Sequence, residues 1–435
     1  MLGTMEQSRQ RPAQPVLQRG TNNARVGTLN RALVLDVVRR RGPVTRAAVA
    51  GATGLTAQTV SNIAARLLSQ GLVREDRVLA SDPHRVLRIA ADARYAVGLH
   101  LDPARVVAVL VDLAGTVRAT EHVDTGPLRG PVEIVDAMVA VTERLIATPL
   151  AGHTAAAPSV RNRLLGIGIA APGPLDPLHQ TLAAPVQLPG WGGLPLADEV
   201  RRRTGMPVLL EKDGVAAGLG EAWTTTNTTG LVSVTLGHGI SAAVVAGGSV
   251  VRGATGNAGE FGGMPVHAHG RWTAVWEACQ PLQQVERAIG AGVLPPGTAI
   301  DRPAAVRAAY EALCASDAGR SLVAAGGTAL GTALAHVVEL LDVTDVVIGG
   351  SAAIAGGTVF LDAVRAGLTG RLPEGSRVAV ETTTHGEAAV ARGAACAVLA
   401  TALDAAPAVP TTPVPATVPG ARVRSPRARS IAHPW

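Results

Sequence analysis

One succession of strands occurs twice in the chain, and this repetition constrains the fold more than any other feature. The segment YAVGLHLDPARVVAVLVDLAGTVRA predicts three apolar strands separated by turns, and GLVSVTLGHGISAAVVAGGSVVRGA repeats that order about 135 residues later. Strands alternate with helical segments after each copy, such as LLGIGIAAPG and ADEVRRRTG after the first. We therefore expect an α/β body of two related lobes, residues 93–228 and 229–402, with a ligand cleft between them.

Three short helical segments with turn signals precede this body. NRALVLDVVRRRG ends at the stop signal Gly42-Pro43, TRAAVAGATG begins at the capping residue Thr45, and TAQTVSNIAARLLSQG begins at the capping residue Thr56. LVREDR and RVLRIA follow, and their alternation predicts the two strands of a wing. This order predicts a winged helix-turn-helix domain over residues 25–92, whose third helix is the recognition helix.

The third helix carries small polar side chains on its first two turns, where they can reach base edges in the major groove. We predict that these residues face DNA: Thr56, Gln58, Thr59, Ser61 and Asn62. Arginines at the start of the second helix and in the wing are suited to phosphate or minor-groove contacts, namely Arg46, Arg85 and Arg88. The alternative is a small three-helix domain that binds another protein.

The uneven distribution of charge favours DNA binding. Residues 1–90 carry a net charge of +9, residues 91–402 carry −6 and the last 33 residues carry +3. A basic front end on an acidic body is typical of a nucleic-acid-binding domain attached to a domain of another function, although an arginine-rich surface without a role gives the same sum.

Composition excludes disorder throughout the chain and favours a soluble protein of the cytoplasm. The chain of 435 residues is 47% hydrophobic, enough for buried cores, and its three cysteines form no CxxC pair, as expected in a reducing cytoplasm. Residues 321–338 carry no charged side chain, but their glycines, threonines and His336 predict a buried helix rather than a membrane span. The polar residues 1–24 and the Pro-rich and basic residues 403–435 are expected to be disordered.

Several motifs together resemble the ROK family of repressors, uncharacterised reading frames and sugar kinases. The resemblance covers roughly residues 28–402 and rests on the helix-turn-helix segments and on LLGIGIAAPGPLD, LPGW, EKDGVAAGLGE, RGATGNAGEFG and DVVIGG. It implies an actin-like, two-lobed fold with a sugar site in the cleft, and a homodimer or tetramer. The helix-turn-helix in front is similar to the repressor branch.

The family's kinases carry a DxGGT loop, in which glycine backbone N–H groups approach phosphate and the aspartate helps to hold the metal. Here the stretch is His100-Leu101-Asp102-Pro103-Ala104, and GHGIS stands in place of the second loop, GTGIG. Proline cannot donate a backbone hydrogen bond. We therefore expect no kinase activity, although Asp213 keeps the position of the family's catalytic base.

The resemblance also implies a ligand pocket. We predict that it comprises Gly173, Gln187, Lys212, Asp213, Glu260 and Glu277. Asp213 would accept a hydrogen bond from a sugar hydroxyl, or would only cap the helix that follows it. Three positions depart from the family pattern, because Gln187 and Lys212 replace asparagines and Gly263 replaces a histidine that usually binds zinc.

The zinc cluster CxCGxxGC is absent, and GMPVHAHGRWTAVW occupies its place. His267, His269 and Cys279 match no metal-binding spacing, and solvated loop histidines are the simpler interpretation. We expect no structural zinc and no other cofactor.

Lys212 is the only lysine in the chain, and it lies beside three carboxylates of the predicted pocket. It would pair internally with Asp213, Glu260 or Glu277, because buried charges need partners, or it would select an anionic ligand such as a sugar phosphate or sugar acid.

These patterns predict a cytoplasmic transcriptional repressor that binds operator DNA as a dimer and responds to a sugar in the cleft. Two alternatives stay open. One is a sugar kinase with a DNA-binding domain, and the other is a DNA-binding protein that binds no ligand and uses the body only to dimerise.

Overall fold

The computed structural model describes residues 23–77, 85–126, 130–150, 159–225 and 230–403. The segments expected to be disordered, residues 1–24 and 403–435, lie outside these residues, except that residues 23, 24 and 403 belong to helices.

The N-terminal part, called the head below, is the predicted winged helix-turn-helix. Its elements are α1 (Asn23–Arg41), β1 (Val44–Thr45), α2 (Arg46–Thr53), α3 (Ala57–Ser69), β2 (Val73–Arg77) and β3 (Arg85–Ile89). The strands form one antiparallel sheet in the order β1-β3-β2. The three predicted helices and the two wing strands are confirmed, but α1 begins seven residues before the predicted start at Asn30.

Local side-chain chemistry sets the helix ends in the head. The hydroxyl of Thr45 accepts a hydrogen bond from the backbone N–H of Ala48, and the hydroxyl of Thr56 accepts one from that of Thr59, both at 3.2 Å. Gly54 ends α2 with φ of 70°, a conformation that glycine adopts without strain. Each threonine cap contributes about 1 kcal/mol, so Thr45 stabilises the start of α2 and Thr56 stabilises the start of the recognition helix α3.

Residues 95–225 form the first lobe of the body. Its elements are β4 (Tyr95–Asp102), β5 (Arg105–Asp112), β6 (Val117–Asp124), α4 (Pro131–Ala147), α5 (Val160–Arg163), β7 (Leu164–Ala171), β8 (Leu175–Asp176), β9 (Thr181–Leu182), α6 (Leu196–Thr204), β10 (Val208–Lys212) and α7 (Asp213–Thr224). The main sheet has the order β10-β7-β4-β5-β6. β4, β5 and β6 are antiparallel neighbours, whereas β4, β7 and β10 run parallel.

The second lobe repeats this arrangement. Its elements are β11 (Leu231–Leu236), β12 (Ile240–Ala246), β13 (Ser249–Val250), β14 (Pro265–Ala268), β15 (Arg271–Ala274), α8 (Val275–Cys279), α9 (Pro281–Gly290), α10 (Pro303–Ala315), α11 (Arg320–Leu341), β16 (Asp345–Gly349), α12 (Ser351–Thr369), β17 (Ala379–Thr382) and α13 (Ala389–Leu403). The main sheet has the order β13-β12-β11-β16-β17. Three antiparallel strands again precede two parallel ones, and this confirms the internal repeat.

The prediction of a buried helix over 321–338 is also confirmed. Two stretches, Asp317–Leu341 and Ser351–Thr369, are long and apolar enough to cross a membrane. Both pack in the core of the second lobe, for example through Leu330, Leu334 and Phe360. Their length and hydropathy are therefore those of core helices.

The last helix, α13, leaves the second lobe and packs on the sheet of the first. Its Val390 and Ala394 form a buried cluster with Ala170, Ala216 and Ala217. Glycine permits the approach, because a Cβ at position 393 would lie 1.7 Å from the carbonyl oxygen of Ala216. α7 and α13 therefore form one tightly packed pair behind the cleft.

Head and body share one hydrophobic core. Val38 of α1, Leu67 of α3 and Leu87 of β3 belong to the same buried cluster as Trp223 of α7 and Leu399 of α13. The head is therefore fixed to the body by apolar packing rather than held on a free linker.

Candidate DNA-binding surface and interlobe cleft

The recognition helix α3 divides into a buried face and a polar face. Val60, Ile63, Ala64 and Leu67 are buried against the rest of the head. Thr56, Gln58 and Asn62 are exposed, and Thr59 and Ser61 are half-buried. All five side chains predicted to face DNA therefore lie away from the buried face.

Two pairs of these side chains bond to each other in the absence of DNA. The hydroxyls of Thr56 and Thr59 lie 2.9 Å apart, and the amide of Gln58 donates to the Asn62 carbonyl oxygen at 3.1 Å. An amide pair in solvent breaks at little cost, because water replaces the lost hydrogen bond. The surface is thus ordered and still available to base edges.

The three predicted phosphate-binding arginines lie beside two acidic residues of β2 that the sequence did not single out. Arg46 and Arg85 both pair with Glu75, at 2.8 and 3.0 Å, and Arg88 lies 3.6 Å from Asp76. Glu75 thus joins the start of α2 to the wing. The strand alternation of LVREDR was the available signal for it, because it places Glu75 on the same face of β2 as the buried Val73.

The cleft lies between the lobes, where strands and helices of both end. The polar side chains that line it come from both lobes and from the segment before α13: His100, Asp102, Arg105, Gln187, Asp213, Thr235, Arg307, Ser351 and Glu387. Asp213 and Gln187 are the two predicted pocket residues that line it directly.

Asp213 is the first residue of α7, and its side chain lines the cleft. One of its carboxylate oxygens accepts from the backbone N–H of Gly214 at 2.6 Å and from the hydroxyl of Ser241 at 3.0 Å. Burial raises the pKa of this carboxyl above its ordinary value, and nearby His100 opposes the shift. Asp213 thus bonds at the N-terminus of α7 and also lines the cleft, where its role as acceptor for a ligand stays a prediction.

Lys212 is almost completely buried, and its ammonium group has three partners. Nζ donates to the Glu260 carboxylate at 2.6 Å and to the carbonyl oxygens of Asn257 and Ala258 at 3.3 and 3.2 Å. Gly173 leaves room for the lysine stem, since a Cβ there would lie 3.2 Å from Lys212 Cε. The internal pair therefore involves Glu260, and no bonding capacity of the ammonium is left for a ligand.

The structure places the remaining two predicted pocket residues, Gln187 and Glu277, in different surroundings. Gln187 lines the cleft and packs over Gly239 of the second lobe, where a Cβ would lie 1.8 Å from its amide nitrogen. Glu277 lies on α8 and bonds to the Thr273 hydroxyl at 2.5 Å and to Arg271 at 2.9 Å, and these contacts lower its pKa. Glu277 is not among the residues that line the cleft.

The residues in place of the family's zinc cluster do not fit a zinc ion. The thiol of Cys279 donates to the Val275 carbonyl oxygen inside the core, and burial raises its pKa to about 12, whereas zinc takes a thiolate. His267 packs edge-on against Trp272 with ring centroids 5.8 Å apart. Among the described residues, no three His, Cys, Asp or Glu side chains are grouped to hold a metal.

Sequence reasoning missed a group of three charged residues that line the cleft. Glu387, just before α13, pairs with Arg105 of the first lobe at 3.4 Å and with Arg307 of the second at 2.5 Å. No local sequence pattern indicates that these residues form a group, because positions 105, 307 and 387 are far apart along the chain.

Helix α7 connects the cleft to the head. Asp213 begins it in the cleft, and at its other end the guanidinium of Arg40 donates to the Thr225 carbonyl oxygen at 3.1 Å. Arg39 donates to the Trp223 carbonyl oxygen and lies 4.0 Å over the indole ring. Two cations of α1 therefore stabilise the C-terminal end of α7, where the helix dipole favours positive charge.

The chain matches known proteins along most of its described length. The profile of the ROK family matches residues 97–401, and that of the MarR family matches residues 28–80. A solved ROK family transcriptional regulator, described as a homolog of the MLC protein of E. coli, superposes with a TM-score of 0.66 at 19% identity, covering 87% of this chain and 97% of that one.

Curated relatives include both regulators and enzymes. The uncharacterized protein y4fQ of Sinorhizobium fredii is 30% identical over 53% of this chain and 58% of its own length. The xylose repressor of Bacillus subtilis is 25% identical over 61% of this chain and 67% of its own. A glucokinase of Halalkalibacterium halodurans is 29% identical over 46% and 65%. The chain spans about three fifths of the length of the first of these relatives.

Proposed function

The chain belongs to the ROK family, and we propose that it is a transcriptional repressor whose binding to operator DNA is modulated by a sugar or a sugar derivative in the interlobe cleft. It acts in the cytoplasm as a homodimer or tetramer, so that two heads meet a palindromic operator. The observation that carries this proposal is the winged helix-turn-helix, with its polar recognition face, in one core with a ROK body.

A ligand changes DNA affinity only if it binds two states of the protein with different affinity. The α7 and α13 pair supplies a physical connection between the two sites. α7 runs from Asp213 in the cleft to the carbonyl groups held by Arg39 and Arg40, and α13 runs from the cleft residue Val390 to Leu399 in the shared core. Movement of either helix by a ligand would repack the base of the head.

We further propose that the chain does not transfer phosphate, despite its kinase relatives. Phosphoryl transfer depends on positioned contacts to phosphate and metal. At the first turn the Asp102 carboxylate accepts from the backbone N–H of Ala104 at 2.8 Å, and Pro103 provides no N–H. ATP consumption with a panel of sugars tests this, and turnover that Asp213→Asn abolishes would instead establish a kinase.

Fluorescence anisotropy tests the regulatory proposal. The purified full chain is titrated into DNA from upstream of its own gene and into a scrambled duplex of equal length, at several salt concentrations. We expect tighter binding to the upstream DNA that persists as salt rises, and a change in that affinity on addition of a cleft ligand. Equal and salt-sensitive binding to both duplexes would contradict specific recognition. Specific binding without any ligand response would favour a body that serves only for assembly.

A further inference from the structure

The cleft contains an anion of the protein itself, held between two arginines. Arg105 extends from β5 of the first lobe and Arg307 from α10 of the second, and the Glu387 carboxylate lies between them with one oxygen toward each. All three side chains line the cleft. They are 28, 18 and 28% exposed, so they are partly shielded from solvent and still open to a ligand.

The polar groups that line the cleft are of two kinds. The Asp213 carboxylate and the Gln187 amide are acceptors, which suit sugar hydroxyl groups. Arg105 and Arg307 are donors, whose planar guanidinium groups suit a phosphate or carboxylate. Ser351, the first residue of α12, also lines the cleft.

Two of the three acids that line the cleft, Asp102 and Asp213, accept local hydrogen bonds. Asp102 accepts from the Ala104 backbone at 2.8 Å, and Asp213 accepts from Gly214 and from Ser241. Glu387 is the acid whose described partners are the two cleft arginines. Of the cleft carboxylates, Glu387 is therefore the one that an incoming anion can replace without loss of a local backbone contact.

From this geometry, and resting on the proposed function, we infer that the cleft binds an anionic sugar derivative, a sugar phosphate or a sugar acid, whose anionic group displaces Glu387 from between Arg105 and Arg307. Glu387 occupies the anion subsite in the free protein. The cation that selects the ligand is this arginine pair rather than Lys212, which is committed to Glu260 and two carbonyl groups.

Displacement of Glu387 has a structural consequence. Glu387 precedes α13 by two residues, and α13 packs against α7 and enters the core shared with the head. Each arginine keeps one other carboxylate, Asp124 for Arg105 at 3.1 Å and Glu311 for Arg307 at 2.8 Å. An anion therefore releases the start of α13 while both arginines stay in place, which connects ligand charge to the position of the head.

The experiment is isothermal titration calorimetry on the full chain with neutral, phosphorylated and acidic forms of one sugar. The probes are D-xylose, D-xylose 5-phosphate, D-xylonate, D-glucose, D-glucose 6-phosphate, D-gluconate and inorganic phosphate. We expect at least one anionic form to bind about tenfold more tightly than its neutral parent, as expected for one charge-assisted contact. The phosphorylated and acidic probes decide between the two sources of the anion.

Substitutions of Glu387 and of the two arginines should change the affinity for anions in opposite directions. Glu387→Gln removes the internal competitor and should increase the affinity of the anionic probes, inorganic phosphate included, severalfold. Arg307→Gln and Arg105→Gln should decrease it about tenfold while leaving neutral sugar binding unchanged. The matched control is Arg371→Gln, an exposed arginine of the second lobe that does not line the cleft. Thermal unfolding of each variant establishes that it is folded.

Two results would overturn the inference. One is tighter binding of neutral sugars than of every anionic probe, and the other is Glu387→Gln leaving anion affinity, inorganic phosphate included, at the level of the natural chain. Neither result contradicts the proposed regulation, because the DNA titration measures the response to a neutral sugar separately. Conversely, anions that bind in the cleft without changing operator affinity would support the subsite and contradict the proposed regulation.

Discussion

The recognition face of the head and the interlobe cleft differ in how their polar groups are used. On the recognition face, exposed side chains bond to one another within a single helix, as Gln58 does to Asn62. In the cleft, the charged groups bond across elements and lobes, as Arg105 and Arg307 do to Glu387. DNA can therefore meet a surface that is already formed, whereas a cleft ligand must exchange bonds between elements. The second kind of site is suited to changing conformation on binding.

The largest effect is expected at the recognition face. The double substitution Gln58→Ala with Asn62→Ala removes two amides that can read base edges, and each such contact discriminates by about 1 to 3 kcal/mol. We expect a loss of at least tenfold in the affinity ratio between upstream and scrambled DNA, measured by anisotropy.

Ser69→Ala, at the far end of α3, is the matched control. If the double variant keeps the ratio of the natural chain, α3 does not read the sequence.

Asp213→Asn should increase the stability of the fold and weaken the binding of a sugar. Because burial raises the pKa of this carboxyl in the folded state, the folded protein binds more protons than the unfolded chain as pH rises above about 4, and ionisation then destabilises the fold. The variant should be more stable than the natural chain at pH 7, with the gain lost below pH 4, and should bind sugar more weakly.

Chemical unfolding at pH 3.5 and pH 7 measures the first effect and calorimetry the second. Glu277→Gln is the control, since the pKa of Glu277 is lowered rather than raised and its stability contribution has the opposite sign. A loss of stability at pH 7 in Asp213→Asn would contradict the prediction.

Glu75→Gln tests whether the head arginines are restrained before DNA binds. The substitution removes the charge shared by Arg46 and Arg85, so both are free to contact phosphate. We expect affinity for any duplex to rise severalfold and the salt dependence to steepen by about 0.9 for each additional phosphate that the head neutralises.

Asp317→Asn, at an exposed pair with Arg320 on the second lobe, should change neither quantity. Weaker DNA binding by Glu75→Gln would mean that Glu75 positions the arginines rather than restrains them.

The smallest effect concerns the contact between α1 and α7. Arg40→Gln removes a cation from the C-terminal end of α7, which costs about 0.3 to 1 kcal/mol of stability. DNA affinity without ligand should change little, whereas the change in affinity on adding a cleft ligand should shrink. Arg371→Gln on the second lobe is the control, and an unchanged ligand response would exclude this contact as the connection.

Much of the fold was predictable because its signals are local. Thr45, Thr56 and Gly42-Pro43 mark helix ends through their own side chains or ring, and the repeated strand order gives the two lobes. The early start of α1 was missed because residues 23–29 show no apolar period. The return of α13 to the first lobe also has no local signal, since apart from Arg392 and Thr401 the helix carries only apolar residues, most of them small.

The candidate sites were predictable to a different degree. The polar positions of α3 follow from helical periodicity alone. In the cleft, the sequence offered three acids for Lys212, but only tertiary contacts select Glu260. Arg105 and Glu387 are 282 residues apart, and nothing in either neighbourhood marks them as partners. Charge networks across lobes are therefore the part of the site that requires coordinates.

The position of α13 also bears on the order in which the protein folds during synthesis. The helix covers the sheet of the first lobe and supplies Cys396 and Leu399 to the core that includes Val38 and Leu67 of the head. A nascent chain that has not reached residue 403 therefore exposes apolar surface at both places, although the head was synthesised first. If the head binds DNA as proposed, it should do so only after α13 has been synthesised, and proteases should degrade a chain that ends before α13.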